Sequence, residues 1–151
     1  MIIEKAKIED LNEILELQKL AFLEEAQIYN HYHLVPLEQT IENIREEFRE
    51  KIFLAARESN KLIGSVRAKI SDDNTCYVGR LVVHPDFQNQ GIGTLLMKEI
   101  EKYYPGAKRF ELFTGNKSEK NIYLYKKIGY QIIREIESDM NIKLVIMEKL
   151  Q

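Results

Sequence analysis

The chain has 151 residues, 44% hydrophobic and 30% charged. That composition excludes a disordered polymer and predicts one globular domain over 1–151, with a core large enough to need neither disulfides nor metals. The 22 Lys and Arg against 24 Asp and Glu leave no bulk cationic field, so neither nucleic acid nor an anionic membrane is expected as a partner. Cys76 is the single cysteine. It forms no internal disulfide, no Cys/His cluster suggests a metal, and no apolar run is long enough to cross a bilayer, so a cytoplasmic address is expected.

Residues 2 to 7 are short and partly β-branched and predict a strand, followed at Ile8-Glu9-Asp10 by acidic groups suited to the positive end of a helix. Leu11, Ile14, Leu15, Ala21 and Phe22 keep mostly three-and-four spacing, which predicts an amphipathic helix. Tyr29 to His33 break the pattern, and Pro36 favours a boundary or a helix start. Ile41, Ile44 and Phe48 then mark a second, strongly acidic helix.

Three apolar runs, Ile52 to Ala56, Leu62 to Ile70 and Cys76 to Val83, are separated by turn-forming side chains and predict an antiparallel meander. After Gly91-Ile92-Gly93 a third helical pattern runs to Tyr103 and stops at Pro105-Gly106. Arg109 to Thr114 predicts a buried strand, and Ser118 to Lys127 a short helix ended by Gly129. Tyr130 to Ile136 and Ile142 to Met147 predict a closing hairpin.

The chemistry concentrates where the strand Val78 to Val83 runs through His84-Pro85-Asp86-Phe87 into Gln88-Asn89-Gln90-Gly91-Ile92-Gly93-Thr94 at a helix start. A helix start offers unpaired N–H groups and a positive dipole end, and glycines let a phosphate approach closely, so the turn suits a diphosphate. A dinucleotide fingerprint or a Walker loop would need glycine at position 96, which is Leu96. Two glycines at a strand–helix turn also serve simply to relieve crowding, and their spacing by itself leaves both readings open.

The run Leu81 to Leu96 resembles the Gln/Arg-x-x-Gly-x-Gly/Ala signature of the GNAT-type N-acetyltransferases. Leu124-Tyr125-Lys126-Lys127-Ile128-Gly129-Tyr130 resembles that family's later Leu-Tyr-x-x-x-Gly-Phe/Tyr helix and turn, and the order of elements fits the family over the whole chain. The resemblance implies an α/β (α+β) acyl-CoA N-acyltransferase fold: a mixed, mostly antiparallel twisted sheet of about seven strands flanked by about four helices. It also implies acetyl-CoA as co-substrate, no metal, an amine acceptor and direct transfer in a ternary complex, with homodimerisation through the last strands as a further candidate property.

By the same resemblance, the backbone of Leu81, Val82 and Val83 holds the acetyl and pantetheine end of acetyl-CoA, and the amides from Asn89 to Thr94 hold its pyrophosphate, with Gln88, Gln90, Gly91, Ile92 and Gly93 completing the turn. The family places an Asn seven residues before the tyrosine. This chain has Ser118 there and Asn121 nearby as pantetheine contacts. Tyr125 corresponds to the general acid, since a phenol with pKa of roughly 10 carries its proton at neutral pH; its alternative is a packing aromatic. Glu25 is a candidate base or acceptor contact, and Glu24, Tyr29, His31, Tyr32 and His33 are candidate acceptor contacts, each with the alternative of an ordinary surface group. Cys76 reads as a buried strand residue and not a nucleophile. The competing function is a CoA-sensing or partner-binding module that transfers nothing.

Overall fold

The computed structural model describes all residues, 1–151. Seven strands form one sheet in the order β1-β2-β3-β4-β5-β7-β6. The strands are β1 (Ile2–Lys5), β2 (Ile52–Glu58), β3 (Lys61–Ile70), β4 (Thr75–Val83), β5 (Arg109–Gly115), β6 (Gln131–Glu137) and β7 (Lys143–Leu150). The helices are α1 (Leu11–Tyr29), α2 (Val35–Glu38), α3 (Ile41–Glu50), α4 (Ile92–Lys102) and α5 (Glu119–Lys127). The extra helix relative to expectation is the four-residue α2, in which Pro36 occupies the first turn, where a missing N–H costs nothing.

The expected meander is present: β1 to β4 pair antiparallel in sequence order. The crossover through α4 then makes β4 and β5 parallel, as strand–helix–strand connections do. The final hairpin pairs as expected, but β7 lies inside, against β5, and β6 becomes the edge.

Helix ends follow local chemistry. The α3 start is capped by Thr40, whose hydroxyl accepts from the Asn43 N–H at 3.1 Å. The α1 end is closed by Asn30 in the left-handed region (φ 49°) with its N–H bonded to Ala26 and Gln27 carbonyls. Each sheet face has its own core. Under α4 and α5 lies a cluster that includes Leu54, Val66, Ile92, Leu96, Ile100, Phe110 and Met147; under α1 and α3 lies a smaller one built from Leu11, Ile14, Ile44, Phe53 and Val82.

Candidate active site

The parallel pair β4–β5 is joined only at Thr75–Arg109, Cys76–Phe110 and Tyr77–Glu111. Beyond these, β4 continues with β3 up to Val83 opposite Gly64, while β5 continues with β7 up to Gly115 opposite Leu144. The two strands therefore part, and the edge of β4 from Val78 to Val83 faces a wedge with no strand beside it. Backbone groups on such an edge are free to meet a ligand. The wedge opens into a cleft of about 650 Å³ whose walls include Leu81, Val82 and Val83 of β4, the turn before α4, and residues of α1 and α5.

Within its last turn-width β4 is also irregular. Ser65 stands opposite Val82 and Arg67 opposite Gly79, so Arg80 and Leu81 together face Val66. This is a bulge, and Arg80 takes φ 51° to make it. The turn that follows places Asn89 at φ 63° and Gly91 at φ 81°, and α4 begins at the next residue, Ile92. Gly91 is required there because an L side chain at this φ is strained. Gln88, Asn89, Gly91, Ile92, Gly93 and Thr94 all line the cleft, with no acidic residue in the first turn of α4. Lys117, Lys120 and Lys127 add positive charge along the α5 side.

Across the wedge, α1 is tied to the β5–α5 connection. Ser118 Oγ donates to Glu25 Oε2 at 2.6 Å, Asn121 Nδ2 donates to Glu25 Oε1 at 3.1 Å, the Tyr29 hydroxyl and Ser118 Oγ lie 2.7 Å apart, and the Lys117 N–H donates to Tyr29 at 3.0 Å. Gly115 admits this clasp: a Cβ on it would lie 1.8 Å from the Tyr29 hydroxyl oxygen. Tyr125 is buried, yet its hydroxyl carries no hydrogen bond to the protein and is not sealed from solvent. Burial first, and then the charge of Glu25, push that phenol above its ordinary value.

The comparisons with known proteins match this geometry. The profile of the Acetyltransferase (GNAT) family matches residues 11–130. The chain belongs to the GNAT acetyltransferase family. It is 26% identical over 136 residues to the UPF0157 protein YqkA of Bacillus subtilis, covering 89% of this chain, and 31% identical over 81 residues to an uncharacterized N-acetyltransferase, ycf52, of Gracilaria tenuistipitata var. liui, covering 52%. The chain spans 38% and 43% of those two relatives' lengths. Among solved structures, the paiA N-acetyltransferase of Thermoplasma acidophilum, in complex with coenzyme A, superposes with TM-score 0.80 at 26% identity over 100% of both chains.

In this GNAT chain the residues singled out from sequence divide into two groups. Leu81, Val82, Val83, the turn from Gln88 to Thr94 apart from Gln90, Glu24, Glu25, Ser118 and Asn121 line the cleft, whereas Tyr125 is not among its lining residues and lies buried next to the lining residue Leu124. The side chains of Ser118 and Asn121 are engaged by Glu25. Glu24 reaches outward to an exposed pair with Lys120, Tyr29 closes the clasp, and His31, Tyr32 and His33 lie outside the cleft lining on an exposed turn, where His33 pairs with Glu38. Cys76 is fully buried, and burial, then Glu101, push its thiol up to about 12, which makes it inert. No group of three or more His, Cys, Asp or Glu side chains is gathered to hold a metal, and no helix is long and apolar enough to cross a membrane.

Sequence reasoning missed Phe22 and Ile28 of α1, Phe87, Leu124 and the three lysines as cleft residues. It also missed a buried polar network under α1 and α3. Arg67, 2% exposed on β3, donates to Glu47, to Gln18 Oε1 at 2.6 Å and to Gln39 Oε1 at 3.4 Å, and stacks with its guanidinium carbon 4.4 Å from the Phe53 ring centre. Burial by itself would raise Glu47, but the Lys51 hydrogen bond, the Arg67 charge and Gln39 together bring it to about 2. Burial lowers Arg67 to about 10 even beside Glu47. The signal available in sequence was a charged residue in the middle of the apolar run Leu62 to Ile70, which demands a buried partner.

Proposed function

We propose that this chain transfers the acetyl group of acetyl-CoA to a primary amine of a small molecule or peptide by direct attack in a ternary complex. The observation that carries this reading is the wedge between β4 and β5, which brings an unpaired strand edge and a helix start with glycine-type backbone into one cleft, with Tyr125 on α5 next to the lining residue Leu124. The amides of Asn89 to Thr94 would hold the pyrophosphate, and apolar Leu81, Val83 and Leu124 would flank the pantetheine arm. An N–H of the bulged Leu81–Val83 edge would donate to the thioester oxygen as it gains charge.

Tyr125 is the proposed general acid. The phenol carries its proton at neutral pH, would hydrogen-bond the sulfur and pass the proton to it as the C–S bond breaks, and the phenolate would regain a proton from solvent before the next turnover. Glu25, fixed through both carboxylate oxygens, would accept a hydrogen bond from the acceptor's ammonium and orient it; the ammonium gives up a proton to Glu25 or to water, and the neutral amine then attacks the thioester carbonyl.

Saturating acetyl-CoA is expected to raise Tm, by the linkage that any native-state ligand obeys, and an amine panel is expected to release free CoA. An unchanged Tm would overturn the reading; a raised Tm with no CoA released by any amine would leave a sensing module instead. Tyr125→Phe is expected to lower kcat by about 10²-fold or more with little change in the Kd for CoA. Unaltered turnover would remove Tyr125 from the chemistry.

A further inference from the structure

Arg80 stands immediately before Leu81 in the bulge of β4 and is a non-glycine residue at φ 51°. The first position of a left-handed bulge ordinarily belongs to Gly, and a larger residue there carries backbone strain. Its Nη1 donates to Gln39 Oε1 at 3.0 Å. That oxygen also accepts from Gln18 Nε2 at 2.9 Å and from Arg67 Nη1 at 3.4 Å. Three donors thus converge on an acceptor with two lone pairs, and the acceptor is neutral. The bond fixes the plane of the Arg80 guanidinium without balancing its charge.

The other edge of that guanidinium, Nε and Nη2, makes no hydrogen bond to the protein, and neither atom is sealed from solvent. This edge is the planar fork that fits the two oxygens of a carboxylate. The surroundings carry a cationic excess: Arg67, Arg80 and Lys51 share the single carboxylate of Glu47. Gln18, which holds this network on α1, lies about one helical turn before Ala21, where the cleft lining on α1 begins. Glu25 lines the cleft about one turn further on. Arg80 itself is not among the residues that line the cleft: it directly precedes the lining residue Leu81 in the bulge, and its side chain runs to Gln39 while Glu25 lines the cleft from α1.

We propose that Arg80 anchors a carboxylate on the acceptor, so that the amines acetylated by this chain are amino acids or short peptides and not polyamines. The proposal rests on the acetyl-transfer reading for its reaction and adds the acceptor class. A zwitterionic acceptor satisfies both charges, its ammonium toward Glu25 and its carboxylate in the Arg80 fork, whereas a polycation would meet the Arg67–Arg80 pair as a like charge.

The test uses the full chain, 15N-labelled and saturated with CoA. The Arg80 Nε–H resonance is followed while two pools are added: the common α-amino acids with simple dipeptides, and the corresponding decarboxylated amines. The first pool is expected to shift the resonance and the second to leave it in place. In a CoA-release assay, kcat/KM for the best carboxylate acceptor is expected to exceed that of its decarboxylated counterpart by about 100-fold, the worth of a two-pronged charge-assisted contact. Arg80→Lys, which keeps the charge but loses the fork, and Arg80→Gln are both expected to bring that ratio close to one. A resonance that no carboxylate moves, decarboxylated amines turned over as well as their parents, or folded variants that keep the ratio would each overturn the proposal. The NMR titration decides on Arg80 even where no amine is turned over, while Tm with acetyl-CoA decides separately on the acetyl-transfer reading.

Discussion

The two faces of the sheet are held by different forces. The α4–α5 face is a hydrocarbon core in which the few hydroxyls are at its margin, such as Tyr104 donating to the Ala68 carbonyl at 2.9 Å and Tyr130 to Glu101 at 2.9 Å. The α1–α3 face has fewer apolar residues and adds buried Gln18, Gln39 and Arg67 around Glu47. Apolar packing is non-directional and supplies a stiff floor for the turn at Gly91. A hydrogen-bonded charge network is directional: it fixes where the β4 bulge and its Arg80 point, at a cost in desolvation that packing does not carry. The proposed donor side thus rests on shape and the proposed acceptor side on charge.

Breaking the charged face is expected to give the largest effect. Glu47→Ala leaves Arg67 buried without its counter-charge and should lower the unfolding free energy by about 3–5 kcal/mol in urea titration. Replacing both partners, Arg67→Met with Glu47→Leu, should recover most of that loss, which would locate the value of the pair in positioning and not in stability. A double variant as unstable as Glu47→Ala would refute that division between the faces.

At the junction of the two sides, Gly115→Ala puts a methyl on the Tyr29 hydroxyl and should open the clasp. A loss of about 1–3 kcal/mol is expected, together with a raised KM for the acceptor as Ser118 and Glu25 lose their support. The smallest effect, visible only in acid, concerns pH. Glu47 in the folded chain titrates near 2 against an ordinary 4.5. Its stabilisation is therefore fully present above about pH 4.5 and is lost as the pH falls toward 2, because the unfolded chain takes up the proton first. The stability gap between the wild type and Glu47→Gln should narrow over that window and stay constant from pH 5 upward; a gap independent of pH down to 2 would show that Glu47 is not held ionised.

Much of the fold was legible because its elements carry strong periodic or turn signals. The helix through Leu11, Ile14 and Leu15, the meander from Ile52 to Val83 and the left-handed stop at Gly129 (φ 107°) appear where residue patterns place them. The Gln88–Thr94 turn was legible for the same reason: its glycines and their helix start are neighbours in sequence. The α1 clasp and the β4 bulge were not. The contacts Glu25–Ser118, Tyr29–Gly115 and Arg80–Gln39 join residues about 40 to 90 positions apart. The histidines of the 29–33 segment were singled out for chemistry that the tertiary structure leaves beside solvent.

The Gln88–Gly93 turn and the helix that carries Tyr125 were determined by the sequence itself, since local backbone demands and a helix's own stop signals place them with no reference to the rest of the molecule. The parting of β4 from β5, the bulge at Arg80 and the engagement of Ser118 and Asn121 by Glu25 were decided only by the tertiary structure. The physical reason is that each is the outcome of a competition, between strand partners for one edge and between buried donors for a few acceptors, and such competitions are resolved only when distant segments pack together.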